Sequence, residues 1–184
     1  QSHPQAIVRT ALALSGTEAG QKAFESSHHL AYEVVTLEGQ AMSGRKGITL
    51  SIDEALGEAV ERARRVITEK NPDLTDADTV ARQVGLGALR FAMVKSEARR
   101  IIDFRWDQAL SLQGDSAPYV QYAHARACSI LRAAGEAGVD AAAADFSKVG
   151  ALEVKLAQEI ARCEEVVQQA AAELAPHTVA QYAL

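Results

Sequence analysis

Cysteine, proline, methionine and tryptophan are all scarce in this chain of 184 residues, at two, four, two and one copies. Two cysteines cannot build a disulfide framework, and the apolar, helix-periodic surroundings of Cys128 and Cys163 predict reduced, buried thiols rather than a metal site. With 48% hydrophobic and 23% charged residues, wholesale disorder is excluded and one or two globular domains are expected. No apolar run reaches the ~20 residues that span a bilayer. Gln1-Ser2-His3-Pro4 carries no basic stretch followed by a hydrophobic block, so nothing argues for secretion or insertion, and a cytoplasmic protein is expected. Also missing are a Gly-x-Ser-x-Gly elbow, a Walker loop and a dinucleotide glycine fingerprint, which leaves a self-contained enzyme hard to support. His28 and His29 beside Glu25 lack the further ligands that a metal site needs, and they read as surface or strand-end histidines. The net charge of −5 has the wrong sign for gripping nucleic acid with the whole surface, although it leaves room for a local basic patch.

What is present centres on Gly39-Gln40-Ala41-Met42-Ser43-Gly44-Arg45-Lys46-Gly47. Its glycines let the backbone turn and approach a ligand, Ser43 offers a hydroxyl, and Arg45 and Lys46 set two positive charges side by side, a pattern suited to phosphate. A solvated turn between a strand and a helix accounts for the same residues. Local positive density recurs at Arg62-Ala63-Arg64-Arg65 and from Arg90 through Arg105. Phosphate contact and an ordinary solvated helix face both fit it.

The rest reads as mostly helix. Pro4 to Leu14 forms a helix with Gly16 past its end. His29 to Leu37 is β-rich and partly alternating, a strand, and Ile48 to Leu50 is a candidate second strand. Ser51 with Glu54 three residues on is a capping box that opens a helix to about Glu69. Asn71-Pro72-Asp73 breaks it, and Thr75 is the candidate N-cap of the next helix, where Gly85 and Gly87 invite another backbone to pack close. Ile101 to Asp107 interrupts the helical period, with Phe104 and Trp106 as core anchors. Ser116 caps a long helix that carries Pro118 in its first turn. Residues 135–148 read as a loop with partial helical character, helix resumes from about Val149 to Ala175, and Pro176 opens one more.

The start of the helix after Ser116 is the densest polar-aromatic cluster. Tyr119, Tyr122 and Arg126 can share one face, while Gln121 and His124 offer hydrogen-bonding edges. An amphipathic helix whose tyrosines sit at the core edge explains it equally.

Three runs, Val84 to Phe91, Asp103 to Leu110 and Tyr119 to Arg132, closely resemble the arginyl-tRNA synthetase family in content, order and spacing. Met42-Ser43-Gly44-Arg45-Lys46-Gly47 resembles the family's Met-Ser-x-Arg-x-Gly loop, and Leu174-Ala175-Pro176-His177 resembles a Leu-Ala-Pro-His stretch in its C-terminal domain. The likeness covers nearly the whole chain and is strongest from residue 38 to 134. It implies a mainly α fold, a helical bundle of the anticodon-binding type preceded by a short α/β remnant of a nucleotide-binding, Rossmann-like domain. Residues 1–50 would be the end of the catalytic domain, 51–114 connecting helices, and 115–184 a partial anticodon-binding domain.

The resemblance further implies a class I arginine-tRNA ligase that uses ATP with magnesium, arginine and arginine tRNA, as a monomer with no membrane or metal site. The phosphate-contacting loop would be Met42, Ser43, Gly44, Arg45 and Lys46. Ala41 and Gly44 stand where the general signature has lysines, so Arg45 and Lys46, or a lysine elsewhere, would supply the catalytic charge. Gln1 and His3 would end the substrate-side segment. Tyr119, Gln121, Tyr122 and Arg126 would lie at the tRNA, with Arg62, Arg64 and Arg65 on its inner face. The family's His-Ile-Gly-His signature, which lies upstream with most arginine and ATP contacts, is not found, so a fragment inactive alone is expected. The alternative is a stand-alone, synthetase-derived RNA-binding or protein-interaction module without catalysis.

Overall fold

The computed structural model describes residues 2–42 and 49–184 and divides them into two compact units. The smaller unit comprises Gln1–Val34 and Ala98–Ile101. Its helices are α1 (Ser2–Ala13) and α2 (Glu18–Ser26). The Thr17 hydroxyl accepts the Gly20 N–H at 3.0 Å and caps α2, a helix not anticipated above. Arg9 joins the two helices, its guanidinium 5.2 Å from the centre of the Phe24 ring. The Glu33 N–H donates to the Ala98 carbonyl at 2.9 Å and ties the two stretches of the unit together.

The larger unit, Val35–Glu97 with Ile102–Leu184, holds the sheet and the remaining helices. Strands β1 (Val35–Leu37) and β2 (Gln40–Ala41) form an antiparallel hairpin, and β3 (Ile102–Phe104) joins β1 in parallel, in the order β2-β1-β3. Helix α3 (Ile52–Lys70) starts at the expected capping box: the Ser51 hydroxyl accepts the Glu54 N–H, and the Glu54 carboxylate accepts the Ser51 N–H. Helix α4 (Ala77–Val94) lies against α3. A Cβ on Gly85 would sit 2.7 Å from backbone atoms of Ala59 and Val60, so only glycine permits this approach. Small residues, among them Ala55, Ala59 and Ala88, join Leu89, Phe104 and Trp106 in the core. Phe104 and Trp106 meet edge to face with ring centres 4.8 Å apart, so these two anchors behave as expected.

The short α5 (Trp106–Ala109) leads to α6 (Ala117–Glu136), capped by the buried Ser116, whose hydroxyl accepts the Tyr119 N–H. Two 3₁₀ turns at Ala141–Ala143 and Phe146–Lys148 fill the expected loop and precede α7 (Ala151–Ala161), α8 (Cys163–Glu173) and α9 (Pro176–Tyr182). This is the mainly α architecture with a small α/β portion that the resemblance implied.

Several local expectations are corrected. The strand is confined to Val35–Leu37: Leu30, Tyr32 and Val34 are exposed, so their alternation serves no buried face. Thr49 and Leu50 pair with nothing in the sheet, Ile48 lies outside the described residues, and the second strand is Gln40–Ala41. Asp76 rather than Thr75 occupies the N-cap of α4, without a side-chain bond. The helix expected from Val149 to Ala175 breaks at Arg162, whose N–H reaches back to the carbonyls of both Gln158 and Glu159, and stops at Leu174, which is left-handed at φ 53°. Pro176 disfavours helical geometry in the residue before it, so the turn precedes it. Both cysteines are free as expected, but Cys163 is exposed and Cys128 only half-buried.

Two glycine replacements in the intact protein are expected to act in opposite directions. Gly85→Ala should cost about 1–3 kcal/mol, because the neighbour it meets is backbone. Gly57→Ala, mid-helix in α3 with nothing within 4 Å, should add about 0.5–1 kcal/mol. Thermal unfolding checks both, and a neutral Gly85→Ala would refute the close-approach argument.

Candidate functional site

The β1–β2 hairpin delivers Met42 into the glycine-rich cationic segment. Ser43, Gly44, Arg45 and Lys46 lie outside the described residues, as does Gln1; Met42 is exposed. The turn of the hairpin is Glu38–Gly39, both at positive φ, +51° and +77°, the two-residue connection whose twist suits a tight hairpin. Left-handed geometry disfavours glutamate by roughly 1–2 kcal/mol, and bonds to β3 and α5 offset it. The Glu38 N–H donates to the Phe104 carbonyl at 2.9 Å, and the Glu38 carboxylate accepts the Trp106 N–H at 3.1 Å.

Asp103 completes the hairpin. Its Oδ1 accepts the Gly39 N–H at 2.7 Å and the Thr36 hydroxyl at 2.9 Å, while Oδ2 accepts Arg105 Nε at 2.8 Å. The Gly39 N–H, then the Thr36 hydroxyl and the Arg105 guanidinium, hold this carboxyl below the usual aspartate range. Asp103 raises the Arg105 pKa in return. Neither Glu38 nor Asp103 was singled out from the sequence. The available signals were a Glu-Gly pair after a β-rich run and an acid inside the apolar stretch Ile101–Phe104.

A second surface lies on α6. Tyr122 is 52% exposed and Tyr119 40%. Arg126 donates to the Tyr122 hydroxyl at 3.0 Å with its guanidinium 5.7 Å from the ring centre, and this bond raises the arginine pKa. The pair is an exposed aromatic plane with a fixed cation beside it. Gln121 is placed differently: its Nε2 donates to the Gln83 carbonyl at 3.3 Å, it packs where a Cβ on Gly87 would fall, and its Oε1 is buried without a partner among the described residues. Gly87 thus admits a side chain, where the sequence suggested a backbone.

The α3 arginines are engaged to different degrees. Arg62 pairs with Glu58 and lies 5.2 Å over the Trp106 ring, Arg64 bridges Asp78 and Glu61, and Arg65 is 67% exposed with a longer contact to Glu61 at 3.6 Å. An apolar groove of about 840 Å³ is lined by residues of α3, α4 and α6 and the segment between α5 and α6, with Ile67, Val84, Leu110 and Tyr122 in its walls. His3 is an exposed residue of α1 in the smaller unit. Among the described residues, no group of three or more His, Cys, Asp or Glu side chains is placed to hold a metal, and no helix is long and apolar enough to cross a membrane.

Known proteins resemble this arrangement closely. A family model for the catalytic domain of tRNA synthetases class I (R) matches residues 12–108, and one for the DALR anticodon binding domain matches residues 120–184. The arginine–tRNA ligase of Thermus thermophilus is 56% identical over 184 residues, all of this chain and 30% of that protein. That of Deinococcus radiodurans is 53% identical over 189 residues, again 100% of this chain and 30% of the relative. The solved arginyl-tRNA synthetase of Thermus thermophilus superposes with a TM-score of 0.86 at 53% identity, covering 100% of this chain and 29% of that one. The synthetase from Plasmodium falciparum, at a TM-score of 0.64 and 16% identity over 92% of this chain and 30% of that one, shares the fold. The chain therefore spans about 30% of the length of the curated relatives it matches.

The depressed Asp103 pKa has a testable sign. A carboxyl lowered by folding contributes stability above its unfolded value of about 3.9 and loses it as the pH falls through the folded value. A carboxylate-carbon NMR titration should place the Asp103 midpoint below about 3.9; a midpoint at or above that value would contradict the three-donor geometry.

Proposed function

Because this chain belongs to the arginyl-tRNA synthetase family, with the class I catalytic-domain match running over residues 12–108, we propose that it is part of an arginine-tRNA ligase and supplies the phosphate-contacting segment and a tRNA-binding surface. The observation that carries this reading is that the catalytic-domain match includes Met42–Gly47, the segment the hairpin leads into. A stand-alone binding module has no such support, since its catalytic-domain portion would be without use. Residues 1–50 are assigned to the end of the catalytic domain, 51–114 to connecting helices and 115–184 to part of the anticodon-binding domain, in a cytoplasmic, monomeric enzyme.

In the first step an arginine carboxylate oxygen attacks the α-phosphorus of ATP, and the bond to the bridging oxygen of the β-phosphate breaks. The products are arginyl-adenylate and pyrophosphate. Negative charge builds on the leaving pyrophosphate, where cations already in place lower the barrier; Arg45 and Lys46 are assigned that role, with Met42, Ser43 and Gly44 shaping the backbone around the phosphates. Magnesium enters with ATP as part of the substrate. In the second step a hydroxyl of the terminal adenosine of arginine tRNA attacks the arginyl carbonyl, and AMP leaves. Gln1 and His3 are the weaker, substrate-side assignment.

On the tRNA side, Tyr122 and Arg126 are the strongest candidates: an exposed ring can stack on an unpaired base and its neighbouring guanidinium can meet phosphate. Tyr119 extends that face. Gln121 supports it from the α4–α6 contact. Arg65, the most exposed of the α3 arginines, is a better phosphate contact than Arg62, which is committed to Glu58 and Trp106.

Two measurements on the intact enzyme test this. The double replacement Arg45→Ala with Lys46→Ala should slow arginine-dependent ATP–pyrophosphate exchange roughly a hundredfold or more; unchanged exchange would remove these cations from the mechanism. Tyr122→Ala should weaken arginine tRNA by about 1–3 kcal/mol, the usual contribution of one base–aromatic stack, and leave exchange at saturating tRNA intact. Equal affinity for arginine tRNA before and after the change would take Tyr122 out of the interface.

A further inference from the structure

We infer that Asp103 is a positioning residue for arginine activation, because it fixes the Glu38–Gly39 turn and thereby the place at which β2 presents Met42. This rests on the function proposed above.

Among the described residues, little else holds β2. The strand is two residues long, its hairpin pairing is confined to Thr36 with Ala41 and Leu37 with Gln40, and both its residues are exposed. A hairpin of this size is marginal in water unless something beyond its own ladder supports it. Burial does not supply that support here, since Gln40 and Ala41 reach no core. The support is polar and comes from the far side of the sheet. One carboxylate oxygen of Asp103 bonds to both strand and turn, taking the hydroxyl of Thr36 in β1 and the N–H of Gly39 in the turn. The other oxygen takes the guanidinium of Arg105, which keeps the carboxylate from rotating away from the first two donors. Glu38 adds a second tie through the Trp106 N–H, so both turn residues are held by the segment 103–106.

That segment is itself well anchored. Phe104 and Trp106 alternate with Asp103 and Arg105 along the chain and are 4% and 8% exposed. Asp103 therefore links a buried anchor to an exposed hairpin tip. Both its carboxylate oxygens are engaged by Thr36, Gly39 and Arg105, so its effect on chemistry passes through geometry. Near-attack geometry is unforgiving: a displacement of about 1 Å can cost about a hundredfold in rate. A turn released from Asp103 would let Met42 drift by that order.

The test compares two variants in the intact enzyme. Asp103→Asn keeps an acceptor for the Gly39 and Thr36 donors and should stay within about threefold of wild type in kcat for arginine-dependent ATP–pyrophosphate exchange. Asp103→Ala removes the acceptor, and its kcat should fall at least about tenfold with KM for arginine within about twofold. Hydrogen exchange read by mass spectrometry supplies a readout independent of activity. In Asp103→Ala, peptides covering residues 35–42 should exchange faster while those from α3 and α4 keep their wild-type rates. Unchanged exchange over residues 35–42 would overturn the clamp, and faster exchange there with unchanged kcat would overturn the positioning role. A loss spread equally over α3 and α4 would mean general destabilisation and would also overturn it. If the wild-type enzyme itself shows no arginine-dependent pyrophosphate exchange with arginine tRNA present, the proposed function fails and takes this role with it, an outcome distinct from an active wild type with an indifferent Asp103→Ala.

Discussion

The approach of α3 and α4 at Ala59 and Gly85 sets the geometry on which the larger unit is assembled. With no Cβ at Gly85, the two backbones come within contact distance, and the alanines above and below keep them there. Close packing of small residues gives up side-chain area but gains backbone contact along a long stretch, and it leaves few alternative registers. Helix α4 then serves several partners. It receives Gln121 of α6 at Gly87, it borders the Phe104–Trp106 anchor, and α9 reaches the end of α4 through Gln181, whose amide donates to the Lys95 carbonyl at 3.3 Å. A shift of α4 would be felt by the sheet and by α6 together.

Against that tightly packed base, both candidate working surfaces are held by polar contacts in solvent. The hairpin depends on Asp103 and Glu38, and the face of α6 on the bond from Arg126 to Tyr122. Exposed charged contacts add little to global stability. Their value is directional: each fixes the orientation of a group proposed to meet a ligand. The division suits a protein that must stay folded while its working edges exchange partners, because changes at the edges leave the alanine-lined interior untouched.

What could be read from the sequence follows the range of the interaction. The capping box of Ser51 with Glu54 and the cap at Ser116 act over three residues, and both appear as expected. Phe104 and Trp106 were legible because large aromatics in a non-helical stretch have few places to go but the core. Expectations failed where the deciding partner was distant or the signal ambiguous. The apolar alternation from His29 looked like a long strand, yet among the described residues only the three facing Ile102–Phe104 form a ladder, and Glu33 makes a single backbone bond to Ala98. Thr75 and Asp76 are both good caps, and composition could not rank them. Leu174 adopts a conformation that favours glycine, which no propensity argument would assign to leucine. At the candidate sites, Tyr122 and Arg126 could be paired from their spacing alone. Gln121 could not be separated from them, because its partner lies 38 positions earlier in α4.

The parallel pairing of β1 with β3 also bears on the order in which the chain folds during synthesis. Thr36 bonds to residues 66 and 67 positions later, and α3 and α4 occupy the interval between them. At translation rates of roughly 5–20 residues per second, the hairpin emerges several seconds before the strand that holds it. Helices α3 and α4 need only each other and can associate in that interval. The edge that leads into the cationic segment is thus the last part of this region to be completed, and until the segment 103–104 leaves the ribosome the N–H groups of Glu38 and Gly39 have only water as partner.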